Sequence, residues 1–120
     1  MSQQKRVLVV DDDLMVREFM RDALSVQGYA VEEASDGLDA LEQVQGSSFD
    51  AILLDMQMPK MDGWEFLKSY ERLEDQRAQV VVCSALVGLD PRMQHVPAAG
   101  FLSKPFALSD LYECVKQCIG

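Results

Sequence analysis

Acidic, hydroxyl and ammonium side chains in this 120-residue chain gather where apolar runs stop. Asp11, Asp12 and Asp13 follow "KRVLVV", Asp55 follows "FDAILL", Ser84 follows "QVVVC" and Lys104 follows "FLS". An acid at the end of a buried run is costly if desolvated and unpaired, so Asp55 requires solvent or a partner. Carboxylates sharing one pocket repel each other, which raises their pKa values or draws in a cation. Oxygen ligands suit Mg2+, with Mn2+ as its transition-metal counterpart, and Mg2+ keeps much of its hydration and favours phosphate. Lys104 adds a mobile positive charge and Ser84 a hydroxyl donor. Such a set can steady three phosphoryl oxygens while an aspartate acts as the nucleophile.

That chemistry requires the four positions to meet, and the elements between them decide whether they do. Strands are expected over 5–10, 29–34, 49–54, 79–83 and 101–103, separated by helical patterns. The first helix places Val16, Phe19, Met20, Ala23 and Leu24 on one face and stops at Gly28, with Asp13 as its N-cap. Asp36 caps a second helix carrying Leu38, Leu41 and Val44 up to Gly46. A third turns Phe66, Leu67, Tyr70 and Leu73 inward. The last shows Leu108, Leu111, Tyr112, Val115 and Ile119 at helical spacing. Regular βα alternation implies an α/β fold, a doubly wound five-stranded parallel sheet covered on both faces. In the order 2-1-3-4-5, ligand sites lie at the carboxyl ends of strands, beside the point where strand order reverses. With neighbouring strands ~4.8 Å apart, Asp11 and Asp12 face Asp55 across one cleft, and Ser84 and Lys104 lie on its far side. Strand 2, ending at Ala34-Ser35, contributes nothing to it.

Composition narrows the field. The chain is 48% hydrophobic and 26% charged, as for a soluble globular domain, and residues 1–120 read as one domain. No run approaches the ~18 apolar residues of a membrane span, and "MSQQKRVLVV" carries no signal peptide, so a cytoplasmic address is expected. A net charge of −9 repels nucleic-acid phosphates and argues against direct DNA binding. Cys114 and Cys118 lie one helical turn apart with no histidine or further cysteine nearby in sequence. They and Cys83 are expected as buried, reduced thiols. The lone His95 has no evident catalytic partner.

The motifs "VLVVDDD", "LLDMQMPKMDG", "CSA" and "KPF", in order and in register with five βα units, resemble the receiver domain of two-component response regulators over nearly the whole chain. The resemblance implies a flavodoxin-like receiver fold in which Asp55 is the phosphoacceptor, charged by a histidine kinase or a histidine phosphotransfer protein. It implies Mg2+ held by Asp12 directly, by Asp11 largely through water, by Asp55 and by the backbone carbonyl of Gln57. Ser84 and Lys104 would bind the phosphoryl group, and Ser84 and Phe101 would form the switch. Gln57 and Leu86 would flank the path of the hydrolytic water. The Lys104–Pro105 bond is often cis in such proteins. Without the family, Phe101 is simply a core aromatic, Met56, Met58 and Met61 are loop packing, and Trp64 packs at the third helix.

A phosphatase of the haloacid dehalogenase type is the enzymatic rival, with Asp11 and Asp13 as its acid pair. It lacks the residue expected at Met15 and leaves the Met-Pro-x-Met-Asp-Gly loop unexplained. A flavin-binding relative would need a phosphate-cradling loop where "DDD" stands. A phosphorylation-independent interaction module is a third reading. The spacing from Ser84 to Lys104 is a couple of residues shorter than usual in receivers. Pro91 and Pro97 limit a fourth helix there to about two turns or to an irregular loop. That face is where receivers commonly meet output partners, so an unknown partner unlike the usual symmetric dimer is expected.

Overall fold

The computed structural model describes residues 4–74 and 78–120, so the first residues of the "MSQQ" stretch lie outside it. Five strands, β1 (Arg6–Val10), β2 (Ala30–Ala34), β3 (Ala51–Leu54), β4 (Gln79–Ser84) and β5 (Gly100–Ser103), alternate with helices α1 (Leu14–Val26), α2 (Gly37–Gly46) and α3 (Gly63–Glu71). A 3₁₀ helix, Pro91–His95, joins β4 to β5, and α4 (Leu108–Ile119) ends the chain. All four strand pairings are parallel and the order is β2-β1-β3-β4-β5, as expected.

Side-chain alternation assigns the layers. Val7 and Val9 of β1 pack with Met20, Leu24, Leu53, Val81, Leu111 and Val115, so α1 and α4 cover one face. Leu8 and Val10 pack with Ile52, Leu54, Phe66, Tyr70, Val82 and Met93, so α2 and α3 cover the other. The helix starts are set by aspartates. Asp13 Oδ1 accepts from the Met15 amide at 2.9 Å, Asp36 Oδ1 from Asp39 at 2.8 Å, and Asp62 Oδ1 from Glu65 at 2.9 Å. Each cap satisfies an amide that the helix leaves unpaired.

Several expectations need correction. Phe19, Leu38 and Leu108 fall on apolar stripes, yet they are 47%, 50% and 40% exposed, because each stripe is wider than the strip of sheet beneath its helix. Phe101 is not a core aromatic but 40% exposed. β3 begins at Ala51 rather than Phe49, although Phe49 is buried. The 86–99 segment holds only the 3₁₀ turn, in line with its two prolines. Asp90 caps it, accepting from Arg92 N–H at 2.9 Å, Pro91 opens it, and Met93 alone of its residues is buried. The Lys104–Pro105 peptide is cis.

Candidate functional site

Three charged residues sit one position beyond a strand while their amides remain in the ladder. Asp11 N–H donates to the Ala34 carbonyl at 3.1 Å, Asp55 N–H to Val10 at 3.0 Å, and Lys104 N–H to Ser84 at 3.1 Å. The backbone under the site is therefore fixed by the sheet, while the side chains project into the cleft beyond it.

One carboxylate oxygen from each of Asp11, Asp12 and Asp55 lies within 4.8 Å of the others. Asp11 and Asp55 are buried and Asp12 is exposed, which opens the cluster to solvent on one side. Lys104 Nζ donates to Asp11 Oδ2 at 2.6 Å and lies 3.5 Å from Asp55 Oδ2, so its nearer partner is Asp11. Asp11 Oδ1 also accepts from Asp13 N–H at 2.9 Å, and Asp55 Oδ1 from Gln57 N–H at 3.3 Å. Burial pushes the Asp55 carboxyl above its ordinary value of 3.8. The Asp11 charge adds to this, while Lys104 and the Gln57 amide pull the other way. Burial disfavours the Lys104 ammonium, but the hydrogen bond and charge of Asp11, with the charge of Asp55, outweigh it and raise its pKa. Three acids around one lysine leave an excess of negative charge, a donor set that suits a hard divalent cation.

The structure also places the other expected residues. Ser84 is fully buried at the end of β4, its Oγ accepting from Leu86 N–H at 3.1 Å, which leaves the hydroxyl proton available. Leu86 is half-buried against the core, Gln57 is exposed, and Phe101 lies on β5 with its ring partly in solvent. Asp13 is a cap rather than a cluster member. His95 is exposed at the end of the 3₁₀ turn.

Sequence reasoning missed the residues that hold the β3–α3 loop against the site. A Cβ on Gly63 would lie 2.7 Å from the Asp55 carbonyl oxygen and 2.6 Å from Met56 Sδ. One on Gly37 would lie 2.5 Å from the Met61 carbonyl oxygen. Lys60 has φ 66°, with Met61 N–H donating to Pro59 at 2.7 Å across it, a γ-turn pattern that costs strain in a non-glycine residue. The Asp62-Gly63 pair marks a turn in the sequence, but close approach to the backbone of Asp55 leaves no local trace. Met56, read as loop packing, is fully buried, and Trp64 packs under Arg92, whose guanidinium carbon is 4.2 Å from the ring centroid.

A family profile described as "Response regulator receiver domain" matches residues 7–116. Among curated proteins, response regulator MprA of Mycobacterium leprae (strain TN) is 41% identical over 116 residues, covering 95% of this chain and 50% of that protein. Its counterpart from Mycobacterium ulcerans (strain Agy99) is 41% identical over 108 residues, 88% of this chain and 46% of that one. The chain thus spans about half the length of these relatives. Among solved structures, chemotaxis protein CheY4 of Vibrio cholerae superposes with a TM-score of 0.82 at 29% identity, covering 97% of this chain and 99% of its own. Response regulator TrrA of Thermotoga maritima, solved in complex with Mg2+-BeF, gives 0.81 at 26% identity over 96% and 99%.

Proposed function

The chain belongs to the response regulator receiver family of two-component systems, and from that premise we propose that Asp55 takes a phosphoryl group from a phosphohistidine of a histidine kinase or histidine phosphotransfer protein. The observation that carries this reading is Lys104 Nζ within 3.5 Å of a buried Asp55 carboxylate that shares its pocket with Asp11 and Asp12. In the transfer, an Asp55 carboxylate oxygen forms the new P–O bond as the P–N bond breaks, and the departing imidazole keeps the electron pair and takes up a proton. Lys104 shifts from Asp11 toward the phosphoryl oxygens, and the Ser84 hydroxyl donates its free proton to one of them. Asp11, Asp12, Asp55 and the Gln57 carbonyl would hold Mg2+ (or Mn2+), which when bound neutralises the clustered carboxylates and the incoming phosphoryl charge.

Movement of Ser84 toward the phosphoryl group frees space behind it, and Phe101 on the neighbouring strand turns inward to fill it. The altered face comprises the 3₁₀ turn, β5 and α4, where an output partner would dock. Its shortened connection favours a partner other than a symmetric copy. Residues 1–120 act in this reading as one receiver module in the cytoplasm, without direct nucleic-acid or membrane contact. No helix among the described residues is long and apolar enough to cross a membrane. Incubation with a small acyl phosphate and Mg2+ tests the site: the wild-type chain should gain a hydroxylamine-sensitive phosphate and Asp55→Asn should not. Equal labelling of the two proteins would overturn the assignment.

A further inference from the structure

The β5–α4 side carries a feature with no part in phosphoryl transfer. Cys114 and Cys118, one turn apart on α4, are both half-buried free thiols. Both point at the first residue of β5. A Cβ on Gly100 would lie 2.9 Å from Cys114 Sγ and 3.6 Å from Cys118 Sγ, so the two sulfurs converge on the space that glycine leaves empty. They line an open groove along β5 and α4, with Phe101, Asp110, Glu113 and Gln117 on its walls.

We propose that Cys114 and Cys118 form a chelating dithiol for a soft, two-coordinate thiophilic ion of the monovalent copper type. The donor set makes the choice. Two thiolates without further ligands suit soft monovalent copper, whereas zinc takes four ligands. Among the described residues no third cysteine, histidine or carboxylate joins the pair within ligand distance. Asp110, the carboxylate one turn before Cys114, is engaged by Ala107 N–H at 3.1 Å. Binding is a balanced exchange in which the ion forms two Cu–S bonds, two S–H bonds break, and two protons leave to solvent with no change of oxidation state. Burial lifts the Cys114 thiol to about 11, with Cys118 adding to the shift, so Cys114 stays protonated until an ion displaces its proton. A bound ion would fill the hollow over Gly100, in the groove between β5 and α4.

Anaerobic titration of the intact chain with monovalent copper against a colorimetric chelator tests this. One ion per chain is expected, with affinity falling at least tenfold in both Cys114→Ser and Cys118→Ser and holding in Cys83→Ala. Phenylarsine oxide probes the geometry independently of copper, because one arsenic bridging two thiols releases water and lowers the titratable thiol count from three to one. Circular dichroism checks that each variant folds. Failure of native protein to compete for copper, single-thiol arsenic adducts, or binding that survives loss of either cysteine would each overturn the proposal.

Discussion

Gly63→Ala is the sharpest test of how the loop is held against Asp55. An added Cβ would lie 2.7 Å from the Asp55 carbonyl oxygen, 2.7 Å from Met56 Cα and 2.6 Å from Met56 Sδ. Two of these three neighbours are backbone atoms that cannot rotate away, and Met56 is fully buried, so its side chain has little room to move. Overpacking of this kind costs about 1–3 kcal/mol. Relief of glycine's unfolded-state entropy returns at most about 1 kcal/mol, so a net loss of roughly 1–2 kcal/mol is expected. For a domain of this size that lowers Tm by about 4–8 °C. Gly46→Ala is the control, since nothing lies within 4 Å of its Cβ position at the end of α2, and it should be neutral or slightly stabilising. Urea unfolding of the three proteins, with phosphorylation rates alongside, provides the readout. The displaced Asp55 carbonyl should also slow phosphorylation of Gly63→Ala. Wild-type stability in Gly63→Ala, or an equal loss in Gly46→Ala, would refute the close-packing account.

Asp12→Ala should weaken Mg2+ binding sharply without unfolding the chain, because the exposed carboxylate is the one acid of the cluster facing solvent. A titration followed by Trp64 fluorescence checks this, and unchanged affinity would remove Asp12 from the ligand set. Burial raises the Asp55 pKa, so the native state holds that proton more tightly than the unfolded chain. Its contribution to stability is nil below the unfolded value, turns unfavourable as pH rises through the folded one, and stays so at neutral pH. Metal-free Asp55→Asn should thus be more stable than wild type at pH 7, with the gap closing on acidification; a pH-independent difference in urea midpoints would contradict the linkage. Leu86→Glu should shorten the phosphoryl lifetime a few-fold, equivalent to ~1 kcal/mol of barrier, because an apolar side chain cannot orient a water. Equal decay rates would remove Leu86 from the hydrolytic path.

What the sequence conveys and what it hides divide along physical lines. The positions of strands and helices, the strand-end acids and the helix caps at Asp13 and Asp36 follow from local patterns of apolar spacing and capping chemistry. The exposure of Phe19 and Leu38 does not, since an apolar stripe says which way a helix faces but not how far it overhangs the sheet. The close approaches at Gly37 and Gly63 are likewise tertiary. The pairing of Lys104 is likewise tertiary, its Nζ lying 2.6 Å from Asp11 and 3.5 Å from Asp55. For the cysteines, spacing indicated one face of a helix. Only the register of Gly100 against that face brings the two sulfurs to one point.

The same separation explains how the surface between β4 and β5 can be rebuilt while the chemistry of the cleft stays in place. Lys104 is positioned by its own amide bond to the Ser84 carbonyl, and Ala99 N–H already rejoins the sheet at Val80 with a 2.7 Å bond. The chain between them has only to span two fixed points. It touches the core through buried Met93 and the half-buried Leu86, Val87, Val96 and Ala98, and crosses α3 where Arg92 stacks on Trp64, a contact of about 0.5–1 kcal/mol at a partly exposed site. Residues 85–98 can therefore shorten, gain prolines and change outline at little cost to the geometry of Asp11, Asp55 and Lys104, which hang from ladder bonds elsewhere. The outline of that surface and the geometry of the cleft are thus set by separate parts of the chain.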